Sequence, residues 1–123
     1  WRRDRAGWMT DDARPFVAPD TSQAMLDWLM DLMLGSSLRV WLACNEAFAS
    51  QDQSEELRAL RLPTLVIHGD ADASAPLDLT GRRTAALVPG AALKVYAGAP
   101  HALFVTHLEQ LNADVSAFVG AGG

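Results

Sequence analysis

A continuous apolar segment, TLVIH at residues 64–68, constrains the fold of this chain more than any other feature. Its branched side chains favour a β-strand, and the absence of polar alternation is typical of a strand covered on both faces in a parallel sheet. The sequence predicts a helix over residues 79–88, a second strand over 93–96 and a last helix over 106–119. This order predicts an α/β fold whose two parallel strands are neighbours, joined by a right-handed crossover.

The part of the chain before residue 54 predicts helices only. Asp20 and Thr21 can cap a first helix that ends at Gly35, and Ser36 or Ser37 can cap a second. We expect a core face of apolar residues at helical spacing in both helices, formed by Met25, Leu29, Leu32, Met33, Leu38, Trp41, Leu42, Phe48 and Ala49. The polar stretch at residues 50–54 is predicted to separate a helical segment, 1–53, from a βαβα core segment, 54–123, that opens with a short helix at Ser54.

Composition excludes several classes of protein for this chain of 123 residues. Its net charge is −5 and Lys94 is its single lysine, so it has no basic stripe for nucleic acid. Its single cysteine, Cys44, cannot form a disulfide within the chain and is predicted to be buried and inert. No apolar run is long enough to span a membrane, and the N-terminus lacks the pattern of a signal peptide, so we expect a cytoplasmic protein.

Polar groups collect in the two loops that follow the predicted strands. Asp70 and Asp72 follow the first strand, and His101 follows the second. Because parallel strands end at the same edge of a sheet, we expect these loops to meet there. A carboxylate that fixes the tautomer of a histidine makes up two of the three members of a nucleophilic triad.

The residues in these loops resemble the C-terminal part of α/β-hydrolases. The similarity rests on LPTLVIHGDAD at residues 62–72, Pro76, and GAPH at residues 98–101, and the branch it most resembles contains the cofactor-free haloperoxidases and arylesterases. The resemblance implies that Asp72 is the acid and His101 the base of a Ser-His-Asp triad, and that residues 1–53 form a helical cap before the core. The enzymes of this family are about twice as long as this chain, so the resemblance covers only their second half.

The nucleophile of that triad is missing from this sequence. None of the seven serines lies in a Gly-x-Ser-x-Gly turn between a strand and a helix: Ser22, Ser36, Ser37, Ser50, Ser54, Ser74 and Ser116. Two parallel strands also cannot make a covered sheet by themselves. The partner that we expect is therefore the N-terminal half of the hydrolase core, which carries the serine.

The resemblance implies an esterase that needs no cofactor and no metal. Its substrate would be a small carboxylic ester, and hydrogen peroxide in place of water would give a peracid that oxidises halide. Two alternatives remain open at this stage: a catalytically inactive interaction module that pairs through its strand edge, and half of an enzyme with an aspartate nucleophile, such as a dehalogenase or epoxide hydrolase.

Other candidate residues have less specific signals. Trp28, Met33 and Trp41 on the first two helices are predicted either to pack in the core or to line an apolar pocket for the acyl group. Asp70 is predicted to bond loop amides, and His68 to be a packed, hydrogen-bonded residue at the end of its strand. A metal site formed by these two residues with Asp72 and His101 has no firm ligand spacing.

Overall fold

The computed structural model describes residues 4, 7 and 16–120. Within them, two helices precede the sheet, α1 (Gln23–Gly35) and α2 (Leu38–Ser50), and a short helix α3 (Ser54–Ala59) leads into it. The core follows as β1 (Leu65–Gly69), α4 (Gly81–Leu87) and β2 (Ala92–Tyr96), and the chain ends with α5 (Leu103–Thr106) and α6 (Leu108–Gly120). The predicted order of helices and strands is therefore confirmed.

The two strands are parallel neighbours, as the sequence predicts. The register pairs Leu65 with Ala92 and Gly69 with Tyr96, so both strands end at the same edge of the sheet. Helix α4 connects them and packs against both. Within the described residues the sheet has two strands, which is fewer than a parallel sheet needs to be covered.

The bounds of several elements differ from the predictions. Ser22, rather than Asp20 or Thr21, caps α1, because its hydroxyl accepts the amide hydrogen of Met25 at 3.3 Å. Ser37 caps α2 in the same way through Val40. The last helix is interrupted at His107, so it forms α5 and α6 instead of one helix over 106–119.

The predicted core face of the first two helices is confirmed only in part. Leu26 and Leu29 of α1 are buried with Val17 and Ala102, and Met25 packs against this cluster. Leu32 is 56% exposed and Phe48 is 85% exposed, and none of the described α2 residues is buried. Cys44 is also exposed, so the prediction of a buried thiol was wrong. The apolar residues of α2 are therefore half-buried at most, as Leu38, Trp41 and Leu42 are, or exposed, as Phe48 is.

Helix α6 is fixed to the sheet by one carboxylate. Asp114 accepts a hydrogen bond from the Tyr96 hydroxyl at 2.6 Å and forms an ion pair with Lys94. Both partners lie on β2, and Tyr96 is only 2% exposed. Burial and the adjacent carboxylate raise the pKa of Tyr96 to about 12. The contact sets the position of the last helix behind the strand that leads to His101.

Among the described residues, no helix is long and apolar enough to cross a membrane.

Candidate active site

Backbone hydrogen bonds join the two loops at the carboxyl edge of the sheet. The amide of Asp70 donates to Tyr96 O at 3.1 Å, and the amide of Ala71 donates to Ala99 O at 3.1 Å. The Asp70 carboxylate accepts the amide hydrogen of Gly98 at 2.6 Å, which is the bond to a loop amide that the sequence predicts. The loop after β1 and the loop after β2 therefore form one unit.

This close approach requires glycine at two positions. A Cβ on Gly69 would lie 2.0 Å from the carbonyl oxygen of Ala99, so no other residue fits where the loops touch. Gly98 has φ of +70°, in the left-handed region that favours glycine. Gly69 thus determines how near the two loops lie, and hence how near Asp72 lies to His101, while Gly98 permits the backbone turn of the second loop.

Asp72 is held by hydrogen bonds to both of its carboxylate oxygens. Oδ1 accepts the amide hydrogens of Ser74 at 2.9 Å and Ala75 at 2.7 Å. The residue is 8% exposed, and burial acts to raise its pKa, but the Ala75 amide and the neighbouring His101 outweigh burial and leave the pKa below its ordinary value. Asp72 is therefore an ionised acceptor at neutral pH.

His101 faces this carboxylate from the second loop. Its Nδ1 lies 2.8 Å from Oδ2 of Asp72, across 29 residues of sequence. Because an ionised carboxylate can only accept, Nδ1 carries the proton in this bond and Nε2 of the neutral ring is free of one. Among the described residues no partner contacts Nε2, and the side chain is 37% exposed. This nitrogen is available to act as a base.

The first segment of the chain supports the histidine loop. The Phe16 ring lies against the His101 ring with centroids 4.6 Å apart, and the Ala102 amide donates to Phe16 O at 2.8 Å. Ala102 is fully buried in the cluster with Leu26 and Leu29 of α1. No sequence signal pointed to Phe16, since contacts between segments so far apart leave no local pattern.

Two further predictions concern an apolar pocket on the first two helices and a metal site at these loops. Trp41 donates its indole N–H to Met33 O at 3.1 Å, and Trp28 is 53% exposed on α1, so their place in an acyl pocket stays a prediction. Over the residues that the structure describes, no group of three or more histidine, cysteine or acidic side chains is arranged to hold a metal ion.

Comparison with known proteins relates this geometry to a family, although no protein-family model matches the chain. A non-haem chloroperoxidase of Kitasatospora aureofaciens is 31% identical, over 94% of this chain and 45% of the relative. A bifunctional esterase/perhydrolase of Acinetobacter calcoaceticus is 32% identical, over 77% of this chain and 34% of the relative. A bromoperoxidase structure from Bacillus anthracis superimposes with a TM-score of 0.91 at 29% identity, covering 97% of this chain and 45% of that one.

These similarities and the parallel sheet identify the chain as the C-terminal half of an α/β-hydrolase. Its relatives include non-haem haloperoxidases and esterases. The chain spans 45% of the length of the Kitasatospora relative.

Proposed function

We propose that this chain supplies the acid and the base of a Ser-His-Asp triad, in a hydrolase that cleaves small carboxylic esters. The observation that carries the proposal is the 2.8 Å hydrogen bond from His101 Nδ1 to Asp72 Oδ2, with the other oxygen of that carboxylate held by two backbone amides. Such a pair holds a histidine in the tautomer that a serine nucleophile needs. The serine itself belongs to the half of the core that precedes this chain.

In the proposed mechanism, Nε2 of His101 takes the proton of that serine as its oxygen attacks the ester carbonyl. Asp72 stabilises the imidazolium that forms. The proton then passes to the leaving alcohol as the carbon–oxygen bond of the ester breaks, which leaves an acyl-enzyme. Water, deprotonated by His101, attacks this intermediate, releases the acid and restores the serine. The backbone donors that stabilise the oxyanion also lie outside this chain.

Hydrogen peroxide in place of water would give a peracid from the same acyl-enzyme. The peracid then transfers one oxygen to a halide ion, giving hypohalite and the carboxylic acid. This extension is supported by the names of the relatives, since one is an esterase/perhydrolase and another a chloroperoxidase. Residues 1–53 would form a cap, a proposal supported by the packing of α1 against Ala102, next to His101.

The test uses a chimera in which this chain replaces the corresponding segment of the Bacillus anthracis bromoperoxidase. We expect the chimera to hydrolyse an aryl acetate and to form a covalent adduct with a fluorophosphonate, and the 123-residue chain alone to do neither. His101→Gln in the chimera should abolish turnover, because the serine then has no base. His107→Gln is the matched control, since His107 contacts Thr106 and lies outside the triad.

Two outcomes contradict the proposal. Turnover that survives His101→Gln would exclude His101 as the base. A stoichiometric fluorophosphonate adduct on the chain alone would show that one of its own serines is the nucleophile, and its position would be read by peptide mass.

A further inference from the structure

A second histidine contacts the carboxylate that His101 uses. His68 lies in β1, and its Nε2 is 3.2 Å from Oδ2 of Asp72 and 2.8 Å from the carbonyl oxygen of Ala75. A carbonyl oxygen can only accept, so Nε2 of His68 carries a proton and donates it. The shorter bond goes to Ala75, and the same N–H also faces the carboxylate.

The turn that carries Asp72 is therefore fixed from both sides. Ala75 donates its amide hydrogen to Oδ1 of Asp72 at 2.7 Å and accepts from His68 through its carbonyl oxygen at 2.8 Å. The side chain of Thr80 also donates to that carbonyl, at 3.1 Å. Since His68 lies on the strand and Ala75 on the loop, the imidazole ties the turn at residues 72–75 to the end of β1.

The fold leaves room for this ring at one place. The His68 side chain is 14% exposed, and a Cβ on Gly81, the first residue of α4, would lie 2.7 Å from its Nδ1. That distance is too short for any real contact, so a side chain at position 81 would displace the ring. The absence of a side chain at Gly81 thus leaves the space that the His68 ring occupies.

We propose that His68 is a positioning residue for the proposed triad, which holds Asp72 in the orientation that receives Nδ1–H of His101. The inference rests on the proposed function, because it assigns a role to His68 through Asp72 and His101. His68 touches neither the substrate nor the serine in this role. Two imidazole N–H groups converge on one carboxylate oxygen, and the second of them comes from the strand itself.

A purely structural role would give a different result when His68 is replaced. A ring that only fills space would leave the Asp72–His101 bond intact once phenylalanine filled the same volume. A ring that positions the carboxylate through its N–H group would not be replaced by phenylalanine, whereas glutamine, whose side-chain amide can also donate, would restore the bond. The hydrogen on Nδ1 of His101 reports this bond directly by proton NMR, because the carboxylate slows its exchange with water.

The experiment compares the chain with its His68→Phe, His68→Gln and Gly81→Ala variants, labelled with ¹⁵N-histidine. We expect the Nδ1 proton signal of His101 in the original chain and in His68→Gln, and its loss in His68→Phe and Gly81→Ala. A ¹³C titration of the Asp72 carboxyl should show its midpoint rising in His68→Phe, because His68, after the Ala75 amide and His101, is one of the groups that hold that pKa below its ordinary value. The only other titratable side chain in contact with Asp72 among the described residues is His101.

Each result separates this inference from the proposed function. Absence of the Nδ1 proton in the original chain would contradict the Asp72–His101 pair itself, and with it the proposed triad. An unchanged proton in a folded His68→Phe variant would overturn only the role of His68. If His68→Phe does not fold, Gly81→Ala decides: loss of the signal supports the inference, and a retained signal overturns it.

Discussion

Asp72 uses its two carboxylate oxygens for different purposes. Oδ1 accepts two amides of its own turn, which fixes the plane of the group, and Oδ2 faces the two imidazoles. If asparagine replaced Asp72, its side-chain amide would turn N–H groups towards some of these donors, and no hydrogen bond could form there. The balance of bonds is therefore specific to a carboxylate and not only to the size of the side chain.

At this scale, Asp72→Asn should reduce ester turnover of the chimera at least about a hundredfold. The asparagine cannot select the His101 tautomer whose Nε2 is free, so the attacking serine loses its base, while the substrate should bind nearly as before. Steady-state kinetics would show the loss in kcat. Asp78→Asn, at an exposed carboxylate paired with Arg82, is the control, and near-normal activity of Asp72→Asn would exclude the assigned role.

The pH dependence of stability follows from the lowered pKa of Asp72. A pKa below the unfolded value of roughly 3.9 means that the ionised carboxyl stabilises the fold above that pH, and that this contribution is lost as the pH falls through the folded value. Urea unfolding at a series of acidic pH values should show this loss in the original chain. Equal slopes in the original chain and in Asp72→Asn would contradict it.

One of the two motif glycines, Gly69, allows a test that needs no activity. Gly69→Ala places a methyl group against the Ala99 carbonyl and should destabilise the fold by about 1–3 kcal/mol. Gly35→Ala, at the end of α1 with nothing near the added Cβ, should be neutral or slightly stabilising. Denaturant unfolding measures both. A Gly69→Ala variant as stable as Gly35→Ala would mean that the loops can separate at no cost.

At the scale of elements, the contact between α6 and β2 has an optical signal. Tyr96 is the only tyrosine of the chain, so ultraviolet titration follows it alone. Its pKa of about 12 predicts that the phenolate forms at a clearly higher pH than in a free tyrosine, whose pKa is roughly 10. The bond to Asp114 therefore stabilises the fold below pH of roughly 10, and this contribution is lost as the pH rises through about 12.

Asp114→Asn should lower this midpoint without returning it to the value of a free tyrosine, because burial is the larger cause of the shift. Asn112→Asp would serve as the control for charge on the same helix. A midpoint unchanged by Asp114→Asn would show that the hydrogen bond contributes nothing to the shift.

The same elements show what the sequence could and could not predict. The local pattern of residue types predicts the strands, their parallel pairing and the positions of the two loops. Runs of branched apolar residues and breaks at Gly and Pro act within a few residues, so they can be recognised in the sequence. The interruption at His107 and the exposure of Leu32, Phe48 and Cys44 depend on which neighbour each face meets, and no local pattern contains that information. The Asp72–His101 pair could be predicted only because parallel strands bring their ends together. His68 was predicted to be packed and hydrogen-bonded, but its partners Ala75 and Asp72 were not, and the contact of Phe16 was not predicted at all.

At the scale of the whole molecule, the two-stranded sheet of the described residues is too narrow for the apolar side chains around it to be buried. Large apolar side chains stay exposed on most of its elements: Trp28, Leu32, Val40, Phe48, Leu79, Val95, Phe104, Leu108 and Val119 among them. A monomer with so much apolar surface favours association. The proposed N-terminal half would extend the sheet and cover part of this surface.

This surface predicts complementation between separate halves. Mixing the chain with the N-terminal half of the Bacillus anthracis bromoperoxidase should give a one-to-one complex, with a fall in the fluorescence of a dye that binds exposed apolar surface. Val95→Asp, on the half-covered strand β2, should weaken the complex, whereas Asp31→Asn on the exposed face of α1 should not. Absence of any complex, with the chain monomeric and cooperatively folded, would favour the independent interaction module instead.

The hydrogen bonds between the two loops have a consequence for how such an enzyme can be assembled. The proposed acid and base, Asp72 and His101, lie 29 positions apart on one continuous piece of chain and are joined by contacts that do not involve a nucleophile. A cleavage point ahead of this piece would therefore divide the reactive serine from an intact acid–base pair. That division is what a proximity reporter requires, because turnover would begin only when two fused proteins brought the halves together.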